Sequence, residues 1–194
     1  MSHFHNIVVI GMPGAGKSEV GRLLSLQLGM GFLDLDQRIQ SEDNVSAEQH
    51  IKKNGIDSWR KREKKALREI QRCRKMVIAV GGGCVSDEES LELLKSLGVL
   101  VYLECEIPEL VRRLQSKSEL KKRPLLADAI NKTGNVDISN LETLLRGLKG
   151  QRCGWFEKAA DVAIPTDYAS AQICTQWLCK VLAEKEGYAH LWSS

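Results

Sequence analysis

Lys17 and Ser18 close the run Gly11-Met-Pro-Gly-Ala-Gly16-Lys17-Ser18, an order of residue types suited to holding a polyphosphate. Glycines let several backbone N–H groups converge on one phosphate. The lysine reaches the outer phosphates, and the serine hydroxyl can ligate Mg²⁺. Gly14, Ala15, Gly16, Lys17, Ser18 and Glu19 are therefore candidate ATP-binding residues. Asp34 and Asp36 lie two apart, so on an extended strand they share a face, one serving metal and the other substrate. The plainer alternative for Asp36 is a cap on the helix that follows.

Three other groups could take part. Gly81-Gly82-Gly83 is more than a turn needs, and three glycines let backbone approach a ligand without side-chain obstruction, although a plain turn is a competing reading. Arg60 and Glu63 are three apart and so neighbours on a helix face, where the carboxylate can hold the guanidinium. On the residues alone, Arg60-Lys-Arg-Glu-Lys-Lys65 is better read as a solvated charge run. Arg123 in Arg123-Pro-Leu-Leu126 could be delivered to a transferring phosphate by a closing loop, or belong to a solvated basic cluster, Lys121-Lys122-Arg123.

Elements must position these groups. Asn6-Ile-Val-Val-Ile10 is an apolar β-branched run directly before the glycine-rich loop, and Val20, Leu23, Leu24, Leu26 and Leu28 follow it at helical spacing. Residues 31–36 read as a short buried strand, 46–53 and 57–73 as helices, and 76–80 as a buried strand. A helix with a capping signature starts at Ser86-Asp-Glu-Glu. Residues 99–103 form the next strand, and Pro108 lies just inside a helix reaching about Gln115. A helix over 137–153, a strand near 162–164 and an amphipathic helix over 168–184 complete the order. Strands that are apolar without strict alternation predict an α/β fold with a five-stranded parallel sheet covered on both faces. The polar stretch 116–135 is long for a connector and reads as a lid. Neither repeats nor a composition break divide the chain, so residues 1–194 are expected to form one domain.

A net charge of +3 with 27% charged residues suits a small acidic ligand and gives no nucleic-acid footprint. No stretch approaches the roughly 18 apolar residues of a membrane span. The six cysteines, at 73, 84, 105, 153, 174 and 179, include no C-x-x-C pair and no metal-ligand spacing. With no signal peptide in view, they read as reduced thiols of a cytoplasmic protein. His3 and His5 could hold a metal loosely, but a frayed end is the plainer reading.

Taken in order, the P-loop, Leu33-Asp34-Leu-Asp36, Trp59-Arg60-x-x-Glu63, Gly81-Gly82-Gly83, Arg123-Pro-Leu-Leu and Arg152-x-x-x-Phe156-x-x-x-Ala160-Asp161 resemble the shikimate kinase family from about residue 6 to 165. The resemblance implies a nucleoside-monophosphate-kinase-like P-loop fold, a three-layer α/β/α sandwich with strand order 2-3-1-4-5 and a mobile lid over about 114–135. It implies transfer of the ATP γ-phosphate to the 3-hydroxyl of shikimate, a step of aromatic amino acid biosynthesis, by a Mg²⁺-using monomer. Lys17, Asp36 and Arg123 would be catalytic, and Arg113 and Arg123 would join the loop in binding ATP. Asp36, Arg60, Gly81, Gly82, Gly83 and Arg152 would bind shikimate, with the substrate region spanning about 34–63, and Ser18 and Asp34 would serve the metal. Three residues depart from the family pattern: Glu19 where a hydroxyl is common, Trp59 for Phe, and Phe156 for Tyr. A kinase of another small polyol acid such as gluconate, and a P-loop ATPase switch acting on a protein, are the competing functions.

Overall fold

The almost wholly buried runs 6–11, 76–79 and 99–104 become the inner strands, and the partly buried runs 31–34 and 162–165 become the edges. The computed structural model describes residues 6–121, 123–131 and 133–184, so His3, His5 and Lys122 lie outside the described residues. β1 (Asn6–Gly11) pairs in parallel with β3 (Met76–Ala79) on one side and β4 (Val99–Glu104) on the other. Next, β2 (Gly31–Asp34) adds to β3 and β5 (Val162–Pro165) to β4, giving the all-parallel order β2-β3-β1-β4-β5. Ile7, Val8, Val9 and Ile10 are at most 1% exposed, and burying each such side chain contributes about 1.5–3 kcal/mol. This stiff strand carries the phosphate loop at its carboxyl end.

Helices cover both faces. On one side α1 (Lys17–Gln27) packs on β1 and β3 and against α9 (Ala171–Glu184); α5 (Glu88–Leu97) and α8 (Ile138–Ala159) also pack on the sheet. Between β2 and β3 lie α2 (Leu35–Asp43), α3 (Ala47–Asn54) and α4 (Ile56–Glu69). Salt bridges lash α2 to α4: Arg62 donates to Asp43 at 2.9 Å and to Glu42 at 2.6 Å, and Arg38 lies 3.7 Å from Glu69. After β4 come α6 (Ile107–Leu114), α7 (Lys117–Lys121) and a 3-10 turn over Pro124–Ala129. No helix among the described residues is long and apolar enough to cross a membrane. All six cysteines are free thiols.

Several boundaries differ from the sequence reading for identifiable reasons. The strand expected over 31–36 ends at Asp34, whose side chain accepts from the Gln37 N–H and caps α2. That strand is only partly buried, because β2 is an edge. The cap of α5 is Asp87 rather than Ser86, whose hydroxyl instead donates to the Gly83 carbonyl. Helix α4 stops at Glu69, well short of 73. Conversely α8 runs six residues beyond Cys153, because Gly147, Gly150 and Gly154 lie on its outer side with open space around them and do not break it. Leu26, assigned to the apolar stripe of α1, is 74% exposed. Asp161, at the end of the last family motif, has a structural job: its carboxylate accepts from Leu100 N at 2.8 Å and its own N–H donates to Leu100 O at 2.9 Å.

Candidate active site

The loop after β1 is shaped by glycines in conformations that other residues avoid. Gly16 caps α1 with φ 94°, and at Gly14, with φ 85°, a Cβ would press to 2.9 Å from the Leu114 side chain. Ala15 N donates to Met12 O at 3.1 Å and closes the turn. Lys17 Nζ donates to the carbonyls of Gly11 and Met12, both at 3.0 Å, which holds the ammonium over the loop. Burial pushes its pKa down to about 8, against the opposing pull of the Asp36 carboxylate. Ser18 Oγ donates to Asp34 Oδ2 at 2.6 Å. These two hard oxygens sit beside the phosphate loop, and the pair fits Mg²⁺, which takes a few protein oxygens together with phosphates and water. No cluster of three or more His, Cys, Asp or Glu among the described residues forms a metal cage.

Asp36 does not share a strand with Asp34; it stands in the first turn of α2. Its Oδ1 is buried without a hydrogen-bond partner among the described residues. Burial first, then the neighbouring charges of Glu63 and Asp34, push its pKa up to about 7. A carboxyl group tuned into that range can hold or release a proton near neutral pH.

Arg60 is no solvated charge. Its guanidinium binds the Glu63 carboxylate, whose side chain is only 3% exposed, and Cys84 Sγ donates to Glu63 Oε1 at 3.3 Å. The three glycines make room for this group. A Cβ at Gly81 would meet Glu63 Oε1 at 2.7 Å and Asp36 Oδ1 at 3.0 Å, one at Gly82 would meet Arg152 Nη1 at 3.1 Å, and one at Gly83 would fall on the Arg60 guanidinium. The chain does turn here, with Cys84 N donating to Gly81 O at 3.0 Å, but none of the three has positive φ, so it is close approach that calls for glycine. Arg152, on α8, is 7% exposed and makes no ion pair among the described residues. Burial, and then the like charge of Arg60, push its pKa down to about 10. Two guanidinium groups, one of them buried and unpaired, form a socket for an anion.

The phosphate-loop end of the cleft is lined by two further arginines. Arg113 reaches from α6 to Gly14 O at 3.3 Å and to the carbonyl of Thr166. Arg123 donates to Glu119 O at 2.6 Å and Glu119 Oε2 at 2.8 Å. All the residues assigned to ATP, acceptor or Mg²⁺ from the sequence line one cleft of about 1000 Å³ at the carboxyl ends of the strands. Glu19 lines it too and is exposed. The sequence reading missed the wall after β5, formed by Thr166, Ala169 and residues 170–172 and 174. Residues 166–170 are irregular and the rest stand in the first turn of α9, and none of them is of a type that points to a ligand. It also missed Cys84, whose position after three glycines carries no chemical signal of its own.

Comparisons with known proteins agree with this geometry. The sequence model of the family described as shikimate kinase matches residues 13–182. Shikimate kinase 1 of Salmonella newport is 36% identical over 94% of this chain and 98% of its own length. Shikimate kinase of Haemophilus influenzae is 32% identical over 96% of this chain and 97% of its own. Among solved structures, shikimate kinase from Acinetobacter baumannii in complex with shikimate superimposes with a TM-score of 0.83, at 30% identity, covering 94% of this chain and 95% of that one.

Proposed function

From the premise that the chain belongs to the shikimate kinase family, we propose how its cleft carries out ATP-dependent phosphorylation of the 3-hydroxyl of shikimate to shikimate 3-phosphate. The observation that carries the reading is Asp36: a buried carboxylate oxygen without a partner, aimed into the cleft between the phosphate loop and two anion-binding arginines. Arg60 and Arg152 grip the acceptor carboxylate, which places a ring hydroxyl against Asp36. The raised pKa suits Asp36 to take the hydroxyl proton as the oxygen attacks the γ-phosphorus.

Little covalent chemistry is left for the protein. Phosphoryl transfer needs alignment and neutralisation of charge on the phosphate oxygens. Backbone N–H groups of residues 14–18 cradle the β- and γ-phosphates. Lys17 exchanges its two carbonyl partners for phosphate oxygens, and binding a polyanion there favours its charged form. Ser18 and Asp34 would hold Mg²⁺, which supplies positive charge to the phosphates when bound. Arg123 exchanges Glu119 for the transferring phosphate as the region 114–135 closes and excludes water. Arg113 and Glu19 flank the rest of the nucleotide. We read residues 1–194 as one kinase domain with its acceptor region at about 34–63. A monomer suffices, since base, clamp and phosphate loop come from one chain, and six free thiols suit the reducing cytoplasm.

The direct test is ADP release from Mg·ATP with shikimate, with gluconate and without acceptor. Fast release with shikimate alone is expected, with slow hydrolysis in its absence. Equal slow release in all three would remove the acceptor assignment and favour a P-loop ATPase. Truncating one arm of the clamp, Arg152→Ala, is expected to raise KM for shikimate at least about tenfold and leave KM for ATP near its parental value, since a charge-assisted contact is worth about 1.5–3 kcal/mol. Steady-state kinetics with each substrate varied in turn will separate the two effects.

A further inference from the structure

We propose that Glu109 is a positioning residue for nucleotide binding, acting through Arg113. The inference rests on the reading of Arg113 as a nucleotide contact. All three guanidinium nitrogens of Arg113 are engaged: Nε donates to Glu109 Oε1 at 2.7 Å, Nη1 to Gly14 O at 3.3 Å, and Nη2 to Thr166 O. The fork thus joins three segments, the phosphate loop, α6 and the stretch after β5 that continues into the missed wall of the cleft. Thr166 is itself fixed, with its N–H and hydroxyl both donating to Glu104 O at 2.9 Å.

Of the three anchors only Glu109 is charged. Its carboxylate also takes Arg112 Nε at 2.6 Å and Arg112 Nη2 at 2.7 Å, so one anion sits between two adjacent cations that would otherwise repel. The side chain of Glu109 is 14% exposed and that of Arg113 22%, whereas Arg112 is 68% exposed. The Glu109–Arg113 pair is therefore the better shielded of the two. Removing the carboxylate leaves the Arg113 fork held by two neutral carbonyls, free to rotate about its last bonds and drawn toward phosphate charge. Its plane, and with it the spacing between Gly14 and the wall after Thr166, is then no longer defined.

A purely structural role is the competing account, because Glu109 lies in the first turn of α6, where an acidic residue favours the helix. The experiment uses the full chain and four variants: Glu109→Ala, Glu109→Gln, Arg113→Ala and the double Ala variant. ADP affinity is measured by calorimetry, KM for ATP and for shikimate by kinetics, and stability by thermal melting. Glu109→Ala is expected to weaken ADP binding and raise KM for ATP about tenfold while KM for shikimate moves less than twofold. Glu109→Gln, which keeps an acceptor oxygen, should fall between, and Glu109→Ala should add little in the Arg113→Ala background. Loss of melting temperature with both KM values shifted equally would overturn the proposal in favour of the structural role. So would unchanged ADP affinity in Glu109→Ala alongside weakened affinity in Arg113→Ala. Unchanged affinity in Arg113→Ala would instead remove the nucleotide role of Arg113, and the proposal with it.

Discussion

Asp36→Asn is expected to lower kcat with shikimate about a thousandfold, within the 10²–10⁴ range for a positioned general base, with KM for shikimate changing much less. Asn keeps the size and the hydrogen-bonding oxygen but cannot take the proton. The same substitution has an opposite effect on stability. The native pKa of Asp36 is raised from 3.8 to about 7, so the folded state holds a proton that the unfolded chain gives up. Stability therefore falls as pH rises from about 4 to about 7, and the Asn variant lacks that fall. At 1.36 kcal/mol per pH unit the upper limit is about 4 kcal/mol. Loss of the Asp36 charge beside Lys17 offsets part of it. In the absence of ligands the variant should melt higher than the parent at pH 8, with the gap closing toward pH 4. A kcat within threefold of the parent would remove Asp36 as the base. A melting temperature at pH 8 no higher than the parent's would remove the strained carboxyl.

Gly83→Ala carries the second large effect. A Cβ there falls on the Arg60 guanidinium, and the end of a long side chain can move aside where backbone could not. The backbone should hold its course while the clamp is lost, with a lowered melting temperature because a buried ion pair is broken. Displacing Arg60 also removes the partner of a buried carboxylate, Glu63, which then adds uncompensated negative charge beside Asp36 and the incoming acid. Together these should lower kcat/KM for shikimate about a hundredfold or more, at a cost of about 3 kcal/mol, with KM for ATP nearly constant. Unaltered kcat/KM, or a loss shared equally between the two substrates, would contradict the geometry.

How far the site could be read in advance depended on where its signal lay. The phosphate loop was legible because its glycines, lysine and serine occupy adjacent positions, between a β-branched run and a helical one. The strand order came through family resemblance, since no periodicity tells which parallel strands are neighbours. Arg60 looked solvated because the residues that bury it, Glu63, Cys84 and Gly83, are brought together only by α4 crossing the end of β3. Asp34 and Asp36 looked like strand partners because Leu33 and Leu35 alternate with them; Asp34-x-x-Gln37 is an N-cap pattern that marks the true helix start. The sequence reading ended α8 at Cys153, six residues early, and the solvent exposure that makes Gly154 harmless there is invisible in one dimension. The wall after β5 acts through position and backbone more than through distinctive side chains, and so left no trace in residue type.

The salt bridges between α2 and α4 have a mechanical meaning. Asp36 rides on α2 and Arg60 with Glu63 on α4; Arg62 rivets the two helices through Glu42 and Asp43, and Arg38 reaches across to Glu69. The proposed base and the Arg60 arm of the proposed carboxylate grip are thus two teeth of one jaw, held at a fixed spacing before any acceptor arrives, while Arg152 faces them from α8. Any shift of that jaw toward the nucleotide would move base and Arg60 together, changing the distance from hydroxyl to phosphorus and leaving their mutual angle as the fold set it.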